Sequence, residues 1–309
     1  GMKVNLNKYS LQKGKLKTQG SKFFFYGEDG IIEDVLANVE DVLAQQLKKN
    51  ILELKIPNKL TEEHINLLLF VCLTDLRNPV KINLMKNGIL EIGKRLTELD
   101  PNIDLDKFIP KVSHNDAVKM SMSNIGEVIE EIVDLDYKFL KNVTNQPFIT
   151  SDFPIVKYNQ FLENKNWPLS KSGYGLSGLQ IFIPLNSELI LFFYDSEIYK
   201  VGNRKQDIVL IEDLSEINHL NVLQFVNCFE SIYFNEKTSE DYVRKLHVKA
   251  KRYKRANEST SHSSYLFNKN TNDEEIIKQG KKNLIVVGST HVETKLKINS
   301  IKIHSKGQN

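Results

Sequence analysis

The chain has 309 residues, of which 40% are hydrophobic, 26% charged and 9% aromatic. This allows one large domain or two ordinary ones around a substantial core, and excludes disordered, collagen-like and coiled-coil classes. The 42 basic and 39 acidic side chains leave a formal charge of +3, too balanced to imply nucleic acid by itself. Two cysteines, Cys72 and Cys228, cannot build a disulfide framework or a cysteine zinc site, and fit a reducing compartment.

Gly1 and Met2 read as a tag-cleavage remnant and a start methionine, outside the fold. Residues 3–22 read as a polar, basic arm without a secretory core. The longest apolar run, residues 67–73, is far short of the roughly 18 residues that a membrane helix needs. The expectation is a cytoplasmic protein with no membrane partner.

From Gly30, apolar residues at Ile31, Ile32, Val35, Leu36, Val39, Val42, Leu43 and Leu47 recur at helical steps, with Glu33 and Asp34 in a first turn that favours anions. A second helix is predicted over 58–75, a third over 82–99 before Asp100-Pro101, and a fourth over 117–133. After Asp134 the pattern alternates. Strands are predicted over 137–143, 148–150, 179–183 and 189–194, with a loop over 163–178 that carries Trp167. A helix over 219–231, a short strand over 232–234 and a helix over 239–246 follow. Residues 253–272 are polar and read as a mobile connection. The tail, with Leu284, Ile285, Val286 and Val287 and then Ile298, Ile301 and Ile303, reads as closing strands.

Five stretches carry a resemblance: FFFYGEDG at 23–30 with Glu33 and Glu40 after it; the apolar segment 68–79 ending in Arg77-Asn78-Pro79; PFITSDFP at 147–154; GLQIFIPLNS at 178–187; and residues 221–235. Together they resemble a bacterial family catalogued as a domain of unknown function, number 4238. Asn78 stands where that family usually has Thr. The family's opening His-Tyr-Val-Pro block has no counterpart here, so if its histidine belongs to a site, the site is incomplete. The family also carries an association with bacterial defence, which no residue here encodes.

Thr150-Ser151-Asp152 follows a strand end, where functional side chains gather. Asp152 suits a metal ligand or base, with Ser151 a ligand or nucleophile; equally, both suit a turn that hydrogen-bonds its own backbone. No G-x-S-x-G elbow surrounds Ser151. Glu33 and Glu40 lie seven apart on one helix, about 10.5 Å along its axis at 1.5 Å per residue. They suit either a metal site completed from elsewhere or capping and ion pairing. An acidic set precedes the first long strand (Glu127, Glu130, Glu131, Asp134 and Asp136). A divalent-metal nuclease would need an acid-x-Lys partner, and Glu293-Thr294-Lys295 has that spacing far along the chain. His64 reads as a surface residue and His219 as a near-cap residue, without zinc-ligand spacing.

Residues 244–255 hold seven Lys or Arg in twelve: Arg244, Lys245, Lys249, Lys251, Arg252, Lys254 and Arg255. Such a run contacts phosphate backbone or is a solvated helix face. The glycines 173, 175 and 178 have G-x-G-x-x-G spacing without the strand and helix that give it meaning.

The expected architecture is α+β, a helical part over 30–134 packed on a mainly antiparallel sheet formed by 135–309, with 23–309 as a single domain behind the arm 1–22. The functional expectation is a metal-dependent nucleic-acid hydrolase or nucleic-acid-binding protein using Asp152, Ser151, Glu33 and Glu40 and the basic run. A divalent ion, held by Asp152, is its expected cofactor and nucleic acid its partner. The alternative is a non-catalytic ligand-binding or sensing module shaped by the Ser151-Asp152 turn and the Trp167 loop. Sequence leaves the oligomeric state open.

Overall fold

The computed structural model describes residues 2–4, 9–11, 31–78, 114–167, 170–253, 260–265, 284–289, 294–295 and 297–304, with isolated positions between 82 and 102. Most of the predicted helix over 82–99 and all of the 23–30 block lie outside the described residues.

The architecture is α+β. Its centre is a five-stranded sheet of β3 (Asp136–Asn142), β5 (Val156–Tyr158), β6 (Gln180–Pro184), β7 (Leu189–Tyr194) and β9 (Ile208–Ile211). The order is β5-β6-β7-β3-β9, antiparallel except for the parallel pair β3–β9. The run Leu189-Ile-Leu-Phe-Phe-Tyr194 is apolar throughout because β7 is buried on both faces. Side chains alternate across a strand, so Ile190, Phe192 and Tyr194 join one core and Leu189, Leu191 and Phe193 the other.

The second of these cores is covered by α2 (Glu62–Leu76) through Leu67, Leu68, Val71 and Cys72, and by Ile132 of α4 (Ile125–Ile132). Helix α1 (Ile31–Glu53) packs on α2. Thr61 caps α2 by accepting the His64 N–H at 3.3 Å, and Glu62 and Glu63 occupy the first turn. The fourth predicted helix is two: α3 (His114–Ser123) and α4, separated at Asn124. There the Ser123 hydroxyl turns back to Met120 O and the Asn124 side chain, as short polar side chains do at helix ends.

The first core is covered by α6 (Leu214–Asn227) through Ile217, Leu220 and Leu223, and by α7 (Glu240–Ala250) through Val243, Leu246 and Ala250. A second sheet, β2-β1-β10-β4, joins β1 (Met2–Val4), β2 (Tyr9–Leu11), β4 (Thr150–Ser151) and β10 (Ser231–Tyr233). Met2 is fully buried and pairs with Ile232. Met2, expected to stand outside the fold as a start methionine, is therefore corrected to a core residue, and among the described residues of the expected arm, 2–4 and 9–11 are ladder strands.

Helix α5 (Gln160–Asn164) enters what was expected to be loop. Strand β8 (Tyr199–Val201) pairs with β13 (Ile301–Ile303), and β11 (Thr260–Tyr265) with β12 (Leu284–Ser289). The strand at 260–265 corrects the mobile connection expected there; its serines are carried by pairing with the apolar β12. Among the described residues, no helix is long and apolar enough to cross a membrane.

Candidate functional site

The stretch 147–155 lies against α6, and the contact is polar. Asn221, Gln224 and Asn227 recur every three residues, so they share one side of the helix. All three are buried. Asn221 accepts the Ile149 N–H at 3.0 Å and donates to Pro147 O at 3.0 Å and to the Tyr242 hydroxyl at 2.9 Å. Gln224 donates to Pro154 O at 3.0 Å, and Asn227 donates to Phe153 O at 2.8 Å and Ile155 O at 2.9 Å. A buried amide without partners is costly, so the stripe and the loop it holds are mutually required. Sequence reasoning took the helical spacing from the apolar residues and met the asparagines only within the 221–235 resemblance, with no role for them. The signal it missed was three amides at one spacing inside an apolar run.

Ser151 belongs to the same network. Its hydroxyl lies 2.7 Å from Phe153 O and 2.9 Å from Gln224 Oε1, and accepts the Phe153 N–H at 3.3 Å. Asp152 reaches the segment that follows α6. Its Oδ1 accepts the Phe229 N–H at 2.9 Å, and its Oδ2 accepts those of Glu230 at 2.7 Å and Ser231 at 2.9 Å. Burial raises its pKa, while those three donors act in the opposite direction; the net shift is upward. Asp152 thus ties β4 to β10. No group of three or more His, Cys, Asp or Glu that could hold a metal exists among the described residues.

Glu40 is exposed and forms an ion pair with Arg77 at the end of α2, joining α1 to α2. Glu33 lies on α1, and its side chain is outside the described residues. On α4, Glu127, Glu130 and Glu131 are exposed. Asp136 is engaged by Lys59 at 2.5 Å. Glu293 is outside the described residues, but Thr294 and Lys295 are not: their N–H groups donate to the buried Glu163 at 2.8 and 3.1 Å. His64 corrects the surface expectation. It is fully buried, stacks on Tyr137 at 5.0 Å, accepts the Leu60 N–H through Nδ1 at 3.1 Å, and has its pKa lowered by desolvation. His219 lies inside α6, not at its start, and its Nδ1 sits 2.6 Å from Lys297 O.

A charged cluster that sequence reasoning missed lies beside α2. Asp75 is fully buried and bonded to the Tyr174 hydroxyl, with Lys157 Nζ 3.5 Å away. The same ammonium sits 3.9 Å from the Tyr174 ring centre. Desolvation, with Asp75 beside it, drives the Tyr174 pKa well up. Three residues so far apart in the chain left no local pattern.

The basic run is divided by the burial of α7. Val243, Leu246, His247 and Ala250 face inward. Lys245, Lys251 and Arg252 are exposed and Lys249 half-buried. Arg244 is paired with Glu240 at 3.6 Å. Lys254 and Arg255 lie outside the described residues. Trp167 is 41% exposed. A cleft of about 700 Å³ lies elsewhere, lined by residues of 194–204 with Asp136 and His304.

The model of a family described as a protein of unknown function, DUF4238, matches residues 3–238. No curated protein and no solved structure matches the chain.

Proposed function

Since the chain belongs to the DUF4238 family of proteins of unknown function, its activity must be argued from its own side chains, and we propose that it binds nucleic acid without cutting it. The observation that carries this reading is the orientation of α7. Val243, Leu246 and Ala250 of α7 are spent on the core, leaving Lys245 and Lys249 on the side that reaches solvent together with the exposed Val248, and Lys251 and Arg252 in the turn that follows. Only two acids, Glu240 and Asp241, stand on this helix, and both are in its first turn. Cations so placed contact phosphates and release counterions whatever the base sequence. On this reading Asp152 and Ser151 are scaffold residues, because their oxygens are already committed to the backbone of 153 and 229–231.

The reading is tested by titrating labelled DNA and RNA, single- and double-stranded, with the wild-type chain and with a Lys245→Gln, Lys251→Gln, Arg252→Gln variant. Binding that falls with salt and weakens in the variant is expected, with no shortening of the strand when Mg²⁺ or Mn²⁺ is added. Cleavage abolished by Asp152→Asn in a folded protein would restore the hydrolase reading.

A further inference from the structure

The pair β8–β13 sets Lys200 directly opposite Lys302, both exposed. Like charges facing each other across strands destabilise the pair, so the arrangement gains from an anion beside it. The cleft of about 700 Å³ opens at this point, with Lys200, Arg204, Asn203 and His304 in its wall. That volume lies in the range of small-molecule sites.

The turn that carries Arg204 is built, not slack. Gly202 takes a φ of +54°, and a Cβ there would meet Val209 Cγ2 at 2.8 Å. Asn203 Oδ1 accepts the Lys205 N–H at 3.1 Å. Beneath the turn, the Lys138 ammonium, on a residue only 5% exposed, donates to Asn203 O at 2.8 Å and to Gln206 O. The carboxylate in the wall, Asp136, is engaged by Lys59 at 2.5 Å. Lys200 and Arg204 therefore set the sign of the cleft.

We propose that this cleft is a phosphate-binding site, with Arg204 supplying a planar fork of donors, Lys200 a point charge, and Asn203 and His304 the remaining polar groups. The ligand class is a phosphate-bearing molecule, either a small phosphorylated compound or the terminal phosphate of a strand. No residue of α7 lines the cleft, and the site does not depend on the proposal made for that helix.

The test is calorimetric titration of the full chain at constant ionic strength with pyrophosphate, with a mononucleotide, and with a short oligonucleotide carrying a 5′-phosphate or a 5′-hydroxyl. Pyrophosphate is expected to bind saturably. Arg204→Gln and Lys200→Gln, both at exposed positions, are each expected to weaken it about tenfold; Arg204→Gln leaves the melting temperature of the ligand-free chain unchanged, and Lys200→Gln, by removing the repulsion from Lys302, does not lower it. Lys251→Gln is expected to leave it unchanged. A mononucleotide that competes with pyrophosphate identifies a small ligand; a preference for the 5′-phosphorylated strand identifies a strand end. Absence of saturable pyrophosphate binding overturns the proposal, as does binding that survives Arg204→Gln.

Discussion

Asp152 and Ser231 hold each other twice. The Asp152 N–H donates to Ser231 O at 3.0 Å, and the Ser231 N–H donates to Asp152 Oδ2 at 2.9 Å. The backbone bond continues the β4–β10 ladder one step past the end of β4, and the carboxylate extends it to Phe229 and Glu230. Asp152→Ala removes the acceptor for three N–H groups, of which that of Glu230 is exposed and those of Phe229 and Ser231 are part-buried, so water replaces part of what is lost. The expected cost is about 2–3 kcal/mol, read as a lower urea midpoint with an unchanged m-value.

Asn227 crosses to the same loop from the other side. Asn227→Leu keeps the volume but leaves Ile155 O without its donor, while Phe153 O retains the Ser151 hydroxyl. A loss of about 1–3 kcal/mol is expected. Asn227→Ala in a chain that already carries Asp152→Ala should cost less than it does alone, because both residues fix one loop. Equilibrium unfolding of the four proteins in that cycle checks it.

The buried pair Asp75–Lys157 makes an asymmetric prediction. Asp75→Ala strands a largely buried ammonium and should cost about 3–5 kcal/mol, whereas Asp75→Leu combined with Lys157→Met should recover much of that. Thermal melts that include Asp75→Leu alone distinguish this from a simple cavity effect, which Asp75→Leu would repair without Lys157→Met.

His64 makes stability depend on pH. Its pKa in the fold is lowered from 6.5 by burial, with Lys59 acting in the same direction. The unfolded chain therefore binds the proton more readily. Its contribution is fully present above about pH 6.5 and is lost as pH falls through that value toward the folded pKa. His219 is shifted in the same direction, by burial first. Denaturant midpoints measured from pH 8 down to pH 5 should fall, and His64→Asn, which keeps an acceptor for the Leu60 N–H, should flatten that slope.

The parts of the fold legible in the sequence were those written in side-chain periodicity. The run from Leu189 to Tyr194 marked a strand buried on two faces, and Val39, Leu43 and Leu47 marked α1. Met2 was not legible, because its burial depends on pairing with Ile232, far away in the chain. The break at Asn124 was hidden because the apolar stripe continues across it from Met122 to Ile125. Among candidate site residues, sequence gave Ser151 and Asp152 two roles, and residue type could not separate them: a carboxylate that caps N–H groups and one that holds a metal are the same side chain. The deciding partners, Asn221, Gln224, Asn227 and the N–H groups of 229–231, come from more than seventy residues away. The stretches 147–154 and 221–235 interlock in this way, which ties both to the build of the fold.

The central claim, that the exposed side of α7 and the turn that follows it bind nucleic acid, is tested most directly by the salt dependence of affinity. For a labelled duplex, the logarithm of the binding constant is plotted against the logarithm of salt concentration for the wild-type chain and for Lys251→Gln and Arg252→Gln. A negative wild-type slope that becomes shallower by about 0.9 for each phosphate contact removed is the predicted result. A slope unchanged by either substitution, or no binding at low salt, would contradict the claim.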